Sequence, residues 1–152
     1  MIVYRLSKSK HAGDLSGKGA EMAGGRWNRK GTAMLYTSQT RALCTAEMAV
    51  HTPLGIMPED YALIIIEIPE DSMMIISYPD LPDEWKSFPH SGLTRQIGDH
   101  FVKKNEFLVL KVPSAVVQGE YNFLINTKHP GISRVKILQV EPFEFDRRLF
   151  RS

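Results

Sequence analysis

Residues 24–47 read GGRWNRKGTAMLYTSQTRALCTAE, and the change of period inside this stretch decides the fold. Gly24 and Gly25 open it as a turn that lets main chain approach a ligand closely. Ala33 to Thr37 then forms a short apolar run rich in strand formers, bounded by Gly31 and Ser38. From Ser38 or Thr40, either of which serves as an N-cap, Ala42, Leu43, Ala46, Ala49 and Val50 recur at helical spacing. Turn, strand and helix follow one another with a polar residue at each joint.

Three unlike chemistries fall within that unit. Arg26 offers a planar fork of donors that matches phosphate oxygens, although an arginine judged alone is more often an ordinary surface residue. Tyr36 closes the strand where a side chain can face a cleft, and its bland reading is cross-strand packing. Glu47 lies one turn after Leu43, at the margin of the apolar stripe, so it faces neither plain core nor plain solvent. A rim glutamate is the ordinary reading of such a position; a carboxylate at the mouth of a cleft is the sharper one.

The surrounding chain sets the limits. Its 152 residues are enough for one domain with a real core, and 43% hydrophobic with 24% charged residues is the balance of a globular protein. The net charge of +2 is too mild to point to a nucleic-acid binder. A single cysteine, Cys44, rules out an internal disulfide framework and fits a reducing compartment; in the helix pattern it reads as a small packing residue. No apolar run reaches the ~18–20 residues of a membrane span, and MIVYRLSKSKH has no signal-peptide core, so the expected location is the cytoplasm.

In chain order, Ile2 to Leu6 reads as a strand and residues 7–25 as a long glycine-rich ordered loop. After a turn at Pro53 and Gly55, Tyr61 to Ile68 is a nearly continuous apolar run that fits a strand buried on both faces. Met73 to Ile76 adds an extended segment, and the proline-rich residues 79–90 form a loop. Ser91 caps a second helix with Leu93, Ile97 and Phe101 on its inner face and Arg95, Asp99 and Lys103 in solvent. Phe107 to Val112, Tyr121 to Ile125 and Val135 to Val140 are further strands, followed by an edge-like segment at Phe143 to Phe145. Ser114 sits where the first of these opens into a loop, an ordinary place for a turn serine. The sum is a mixed α+β domain spanning residues 1–152, with two main helices and about seven short strands in a split or curved, antiparallel-rich sheet.

The motifs GGRWNRKGTAMLYTS and ALCTAE, followed by VPSAVVQGEYNFLINTKHP, resemble the RES-domain family, the toxin half of bacterial RES-Xre toxin-antitoxin pairs. The likeness runs from IVYRL to FEFDRR. It implies an ADP-ribosyltransferase-like fold with a dinucleotide cleft, and active-site positions at Arg26, Tyr36, Glu47 and Ser114. Trp27 and Asn28 match the family and would support the pocket. Asn126 and His129 match its N-P-x-H-P signature, with Thr127 where proline is usual, and the resemblance implies that they contact the NAD substrate together with Arg26, Trp27, Asn28 and Tyr36. The resemblance also implies an Xre-type helix-turn-helix antitoxin that blocks the pocket and carries the DNA binding, and a tendency to self-associate as a homodimer.

The residue set suits cleavage of the nicotinamide–ribose bond of NAD. Nicotinamide starts cationic and leaves neutral, so no acid is needed on it, unlike the two-carboxylate glycosidases. Glu47 would steady the ribose hydroxyls and the growing positive charge, Arg26 the pyrophosphate, and Tyr36 the nicotinamide ring. The scattered histidines form neither HExxH nor any pair with CxxC, so no metal is expected, and no cofactor beyond NAD as substrate with inorganic phosphate as a possible co-substrate. A macromolecular ADP-ribose acceptor is the second hypothesis. A basic nucleic-acid-binding module, drawn from Arg147, Arg148 and Arg151, is the distant third.

Overall fold

The computed structural model describes residues 1–151. Seven strands form one sheet: β1 Ile2–Lys8, β2 Leu35–Ser38, β3 Tyr61–Glu67, β4 Met73–Ile75, β5 Val109–Pro113, β6 Tyr121–Ile125 and β7 Lys136–Phe143. Their order across it is β4-β5-β6-β2-β1-β3-β7. Only β4 and β5 run parallel; every other neighbouring pair is antiparallel.

The sheet is continuous, but only just. β1 and β3 pair along their whole length, from Ile2↔Glu67 to Lys8↔Tyr61. On its other edge β1 meets β2 at one position, Tyr4↔Ser38. The expected split or curved sheet is one continuous sheet that nearly parts between β1 and β2. The α2 helix, Arg41–His51, packs on both strands at that joint and bridges it. Thr40 is its N-cap, accepting a hydrogen bond from the Leu43 amide at 3.0 Å.

Period-two alternation sends side chains to the two faces. Val3, Leu35, Ile64, Ile66, Val109, Phe123 and Ile125 form one buried cluster. Met34, Leu110, Val112 and Leu124 form another with Trp27 and Phe101. Each such side chain, fully buried, contributes about 1.5–3 kcal/mol.

Two expectations about helices need correction. Residues 7–25 are not all loop: they hold a short helical turn, Ser9–His11, and a third helix, α1, Lys18–Ala23. The glycines mark its ends, with Gly17 and Gly24 both at φ 72, and do not break it. In α3, Gly92–Lys104, Ser91 is the cap as expected, but the buried residues are Thr94, Gly98 and Phe101, and Leu93 is exposed. The reason is Gly98: a Cβ there would lie 1.6 Å from the Trp27 carbonyl oxygen, so the missing side chain is where the helix makes its closest contact. That rotation also brings the supposed solvent face into contact with the Gly25–Arg29 turn. Arg95 Nε donates to the Gly25 carbonyl at 3.0 Å, and Asp99 accepts from the Arg29 amide at 3.1 Å.

Candidate active site

A cleft of about 410 Å³ opens where β1 and β2 part, within the ~300–1,000 Å³ usual for small-molecule sites. Its walls come from Tyr4, Arg5 and Leu6 of β1, from residues 34–38, from the Gly24–Trp27 turn, from Cys44, Glu47, Met48 and His51 of α2, and from His90, Ala115, Val116 and Asn122.

The turn is built to aim Arg26. Its backbone closes through the Gly25 amide to the Asn28 carbonyl at 3.0 Å. Tyr36 braces it from below, its hydroxyl donating to Asn28 Oδ1 at 2.6 Å and accepting from the Trp27 amide at 3.1 Å. Burial pushes the Tyr36 phenol well above its ordinary pKa, so it stays a neutral donor. Gly25 is needed here because a Cβ would lie 2.7 Å from that hydroxyl. Arg26 Nη1 donates to the carbonyls of Trp85 at 2.8 Å and Ser87 at 3.0 Å, which pins the proline-rich loop beside the cleft. Its Nε and Nη2 make no hydrogen bond among the described residues.

Glu47 projects from α2 with both carboxylate oxygens held. Oε1 accepts from Asn122 Nδ2 at 3.0 Å and from the Ser114 hydroxyl at 3.3 Å. Oε2 lies 3.4 Å from His51 Nε2, one helical turn on. Burial alone would raise the Glu47 pKa. The hydrogen bonds from His51, Asn122 and Ser114 and the charge of protonated His51 more than offset this, leaving it below the usual carboxylate range. Glu47 is the one carboxylate among the residues that line the cleft.

Arg26, Tyr36 and Glu47 thus meet in one cleft. Ser114 joins them indirectly: it is 1% exposed, its Oγ accepts from the amides of Val116 and Val117 at 3.0 Å each, and its proton goes to Glu47. It stands behind the carboxylate rather than in the wall. Trp27 reaches the wall but is mainly core, at 2% exposed.

Asn28, Asn126 and His129 do not line the cleft. Asn28 is wholly buried and spends its Nδ2 on the carbonyls of Ala20, Arg29 and Thr32. Asn126 donates to Asn105 Oδ1 and accepts from the Lys128 amide, and His129 Nδ1 accepts from the Gly131 amide. Both residues shape the turn after β6, at the end of that strand away from Asn122. A motif match records that residues occur together, and here it marks a structural turn.

Sequence reasoning missed Asn122, His51, Arg5 and His90. His51 had a signal, four residues after Glu47 in the helix. Arg5 Nη1 and His90 Nδ1 are enclosed without any hydrogen-bond partner among the described residues. Burial lowers the Arg5 pKa and the charge of Asp14 only partly restores it, so an incompletely compensated cation flanks the cleft. Burial, then the charges of Arg26, Arg95 and His51, push His90 down to about 4 and keep its ring neutral. Among the described residues no three His, Cys, Asp or Glu side chains cluster as metal ligands, and no helix is long and apolar enough to cross a membrane.

The fold and the cleft define a small α+β protein organised around one buttressed carboxylate in a cleft also lined by two arginines. The chain belongs to the RES domain family, whose domain matches residues 2–146. It is 34% identical over 149 residues to the Prs ADP-ribosylating toxin of Sphingobium sp. (strain YBL2), covering 96% of this chain and 92% of that one. It is 37% identical over 154 residues to a Toxin Res of Pseudomonas putida (strain KT2440), covering 99% and 100%. Its fold is similar to one in the crystal structure of the M. tuberculosis MbcT-MbcA toxin-antitoxin complex, with TM-score 0.71 at 19% identity, covering 93% of this chain and 83% of that one.

Proposed function

We propose that this protein is the toxin of a toxin-antitoxin pair and that it destroys NAD by releasing nicotinamide, passing ADP-ribose to water or inorganic phosphate. The observation that carries this reading is Glu47: a charged carboxylate, held on both oxygens, alone of its kind in a cleft whose other charged walls are cationic. Such a site fits a substrate with anionic phosphates and a reacting centre that turns positive.

In the reaction the C1′–N bond breaks, and its electron pair stays on the pyridine nitrogen, which leaves neutral. The C1′ centre becomes oxocarbenium-like opposite the Glu47 carboxylate, which was oriented before the substrate arrived and reorganises little. A C1′–O bond then forms to the acceptor, whose proton passes to solvent. Nε and Nη2 of Arg26 take phosphate oxygens, with Arg5 as a second cation. The Tyr36 ring offers a face to nicotinamide while its hydroxyl stays engaged with the turn. One carboxylate suffices because the leaving group needs no acid.

A second reading keeps the cleft and makes the acceptor a protein, and the relative named an ADP-ribosylating toxin favours it. The decisive assay is nicotinamide release from NAD by wild type beside Glu47→Gln and Arg26→Ala, with and without phosphate. Release lost in Glu47→Gln supports cleavage, and a phosphate requirement names the acceptor. If labelled NAD instead marks a macromolecule stoichiometrically and free ADP-ribose is scarce, the second reading stands.

An Xre-type antitoxin that covers the cleft is part of the same proposal, since an enzyme of this kind would need restraint, and so are homodimerisation and action in the cytoplasm. Exposed Val50, Leu54 and Phe88 belong to the two segments that border the cleft at His51 and His90, and they offer apolar footing for such a partner. DNA contact is assigned to that partner and not to this chain.

A further inference from the structure

Among the described residues, the single residue pair that joins β1 to β2 includes a side chain linked to the carboxylate. Ser38, the β2 residue opposite Tyr4, is 6% exposed. On its other side it is the ladder partner of Asn122 in β6, so the two side chains lie on one face. The Ser38 hydroxyl donates to Asn122 Oδ1 at 3.1 Å, and Asn122 Nδ2 donates to Glu47 Oε1 at 3.0 Å.

An amide can turn over and exchange its oxygen for its nitrogen. If Asn122 did so, its oxygen would face the Glu47 carboxylate and repel it. Because the carboxylate only accepts, the N–H must face Glu47, and the Ser38 hydroxyl, which can donate, takes up Oδ1 on the other side and anchors the amide there. Both side chains border the cleft, but Ser38 reaches the carboxylate only through Asn122, whose amide spends its N–H on Glu47.

We propose that Ser38 and Asn122 form a positioning relay: Ser38 anchors the Asn122 amide through its oxygen, and Asn122 holds the Glu47 carboxylate in place through Oε1. The relay rests on the NAD-cleaving reading for its catalytic meaning, but its geometry can be tested without NAD. The titratable groups facing Glu47 are His51 and Cys44 of its own helix and Arg26 from the turn.

Two measurements test it on the full chain. First, the Glu47 carboxyl is titrated by NMR in protein carrying 13C-labelled glutamate, for wild type, Asn122→Asp and Ser38→Ala. Asn122→Asp is isosteric and puts a second carboxylate against the first, so the Glu47 titration should move up by about one unit or more; Ser38→Ala should move it up by less. Second, nicotinamide release is measured across pH. Asn122→Ala should lower kcat roughly 10–100-fold with KM little changed, since a hydrogen bond to a charged group is lost. Ser38→Ala should cost about threefold in wild type and nothing further in the Asn122→Ala background, as a serial relay requires.

A Glu47 titration unmoved by Asn122→Asp would overturn the proposal. So would a Ser38→Ala effect that simply adds to that of Asn122→Ala. If wild type releases no nicotinamide, the NAD reading falls on its own, and the carboxyl titration still decides the relay.

Discussion

The two edges of β1 have opposite uses. Toward β3 the strand is zipped along its length, with apolar side chains such as Val3 and Ile64 fully buried at 0% exposure. Toward β2 it makes a single pair, and the space left open is lined by Arg26, Tyr36 and Glu47. One seven-residue strand thus supplies cohesion on one side and a binding cleft on the other. The lesson is that a sheet can host a cleft in its middle if the missing ladder bonds are replaced by a helix across the gap, here α2.

The largest effect should come from cutting the zipped edge. Ile64→Ala should cost about 3 kcal/mol, as large-to-small changes in a packed core do. Urea unfolding measures the loss, while kcat per folded molecule stays close to wild type. Gly25→Ala attacks the open edge instead, driving a methyl toward the Tyr36 hydroxyl; it should cost about 1–2 kcal/mol and lower kcat/KM roughly tenfold. Stability and activity should therefore separate: one variant loses mostly the first, the other proportionally more of the second. If Gly25→Ala keeps full activity, the turn does not aim Arg26.

Acid gives a finer contrast. Glu47 has a depressed pKa, so it stays charged and turnover should be flat from pH 8 to about 5, falling only below the ordinary carboxylate range near ~4.3. Its contribution to stability is present above its unfolded value and is lost as pH falls through its folded one. His90 acts in the same direction: burial and the charges of Arg26 and Arg95 hold it at about 4, so its contribution is full above its unfolded value near ~6.5 and lost as pH falls toward about 4. The urea midpoint should drop between those values, and less so in His90→Asn. The smallest effect is expected at Cys44, whose thiol burial pushes up to about 11. Iodoacetamide at pH 8 should leave it unmodified in native protein and alkylate it in urea.

Local signals account for what could be read in the sequence. The α2 helix was legible because the Thr40 cap and the Leu43 stripe lie side by side in the chain, and they place Glu47 on the rim. Arg26 and Tyr36 were legible from the same stretch. Asn122 and Ser38 were not, because they meet only through the β2–β6 ladder, 84 residues apart. Arg5 looked like any strand residue until the parting of β1 from β2 left it beside a cavity. The face of α3 was misread because apolar spacing favours Leu93, whereas the contact that orients the helix is made by the side chain Gly98 lacks. Asn126 and His129 were assigned to the substrate because they match the family's N-P-x-H-P signature, but β6 carries its two ends to different places, and only Asn122 borders the cleft.

The same ladder sets an order of assembly. Glu47 is made early in the chain, whereas the groups that hold its Oε1, Ser114 and Asn122, lie 67 and 75 residues further on. Pairings at such separations form late, since loop closure must precede their reward. A chain still emerging from the ribosome, or one truncated before Ser114, carries the carboxylate without the groups that hold its Oε1. On the reading proposed above, the site is complete only once β6 has been made, which leaves the time before that for the proposed antitoxin to be waiting.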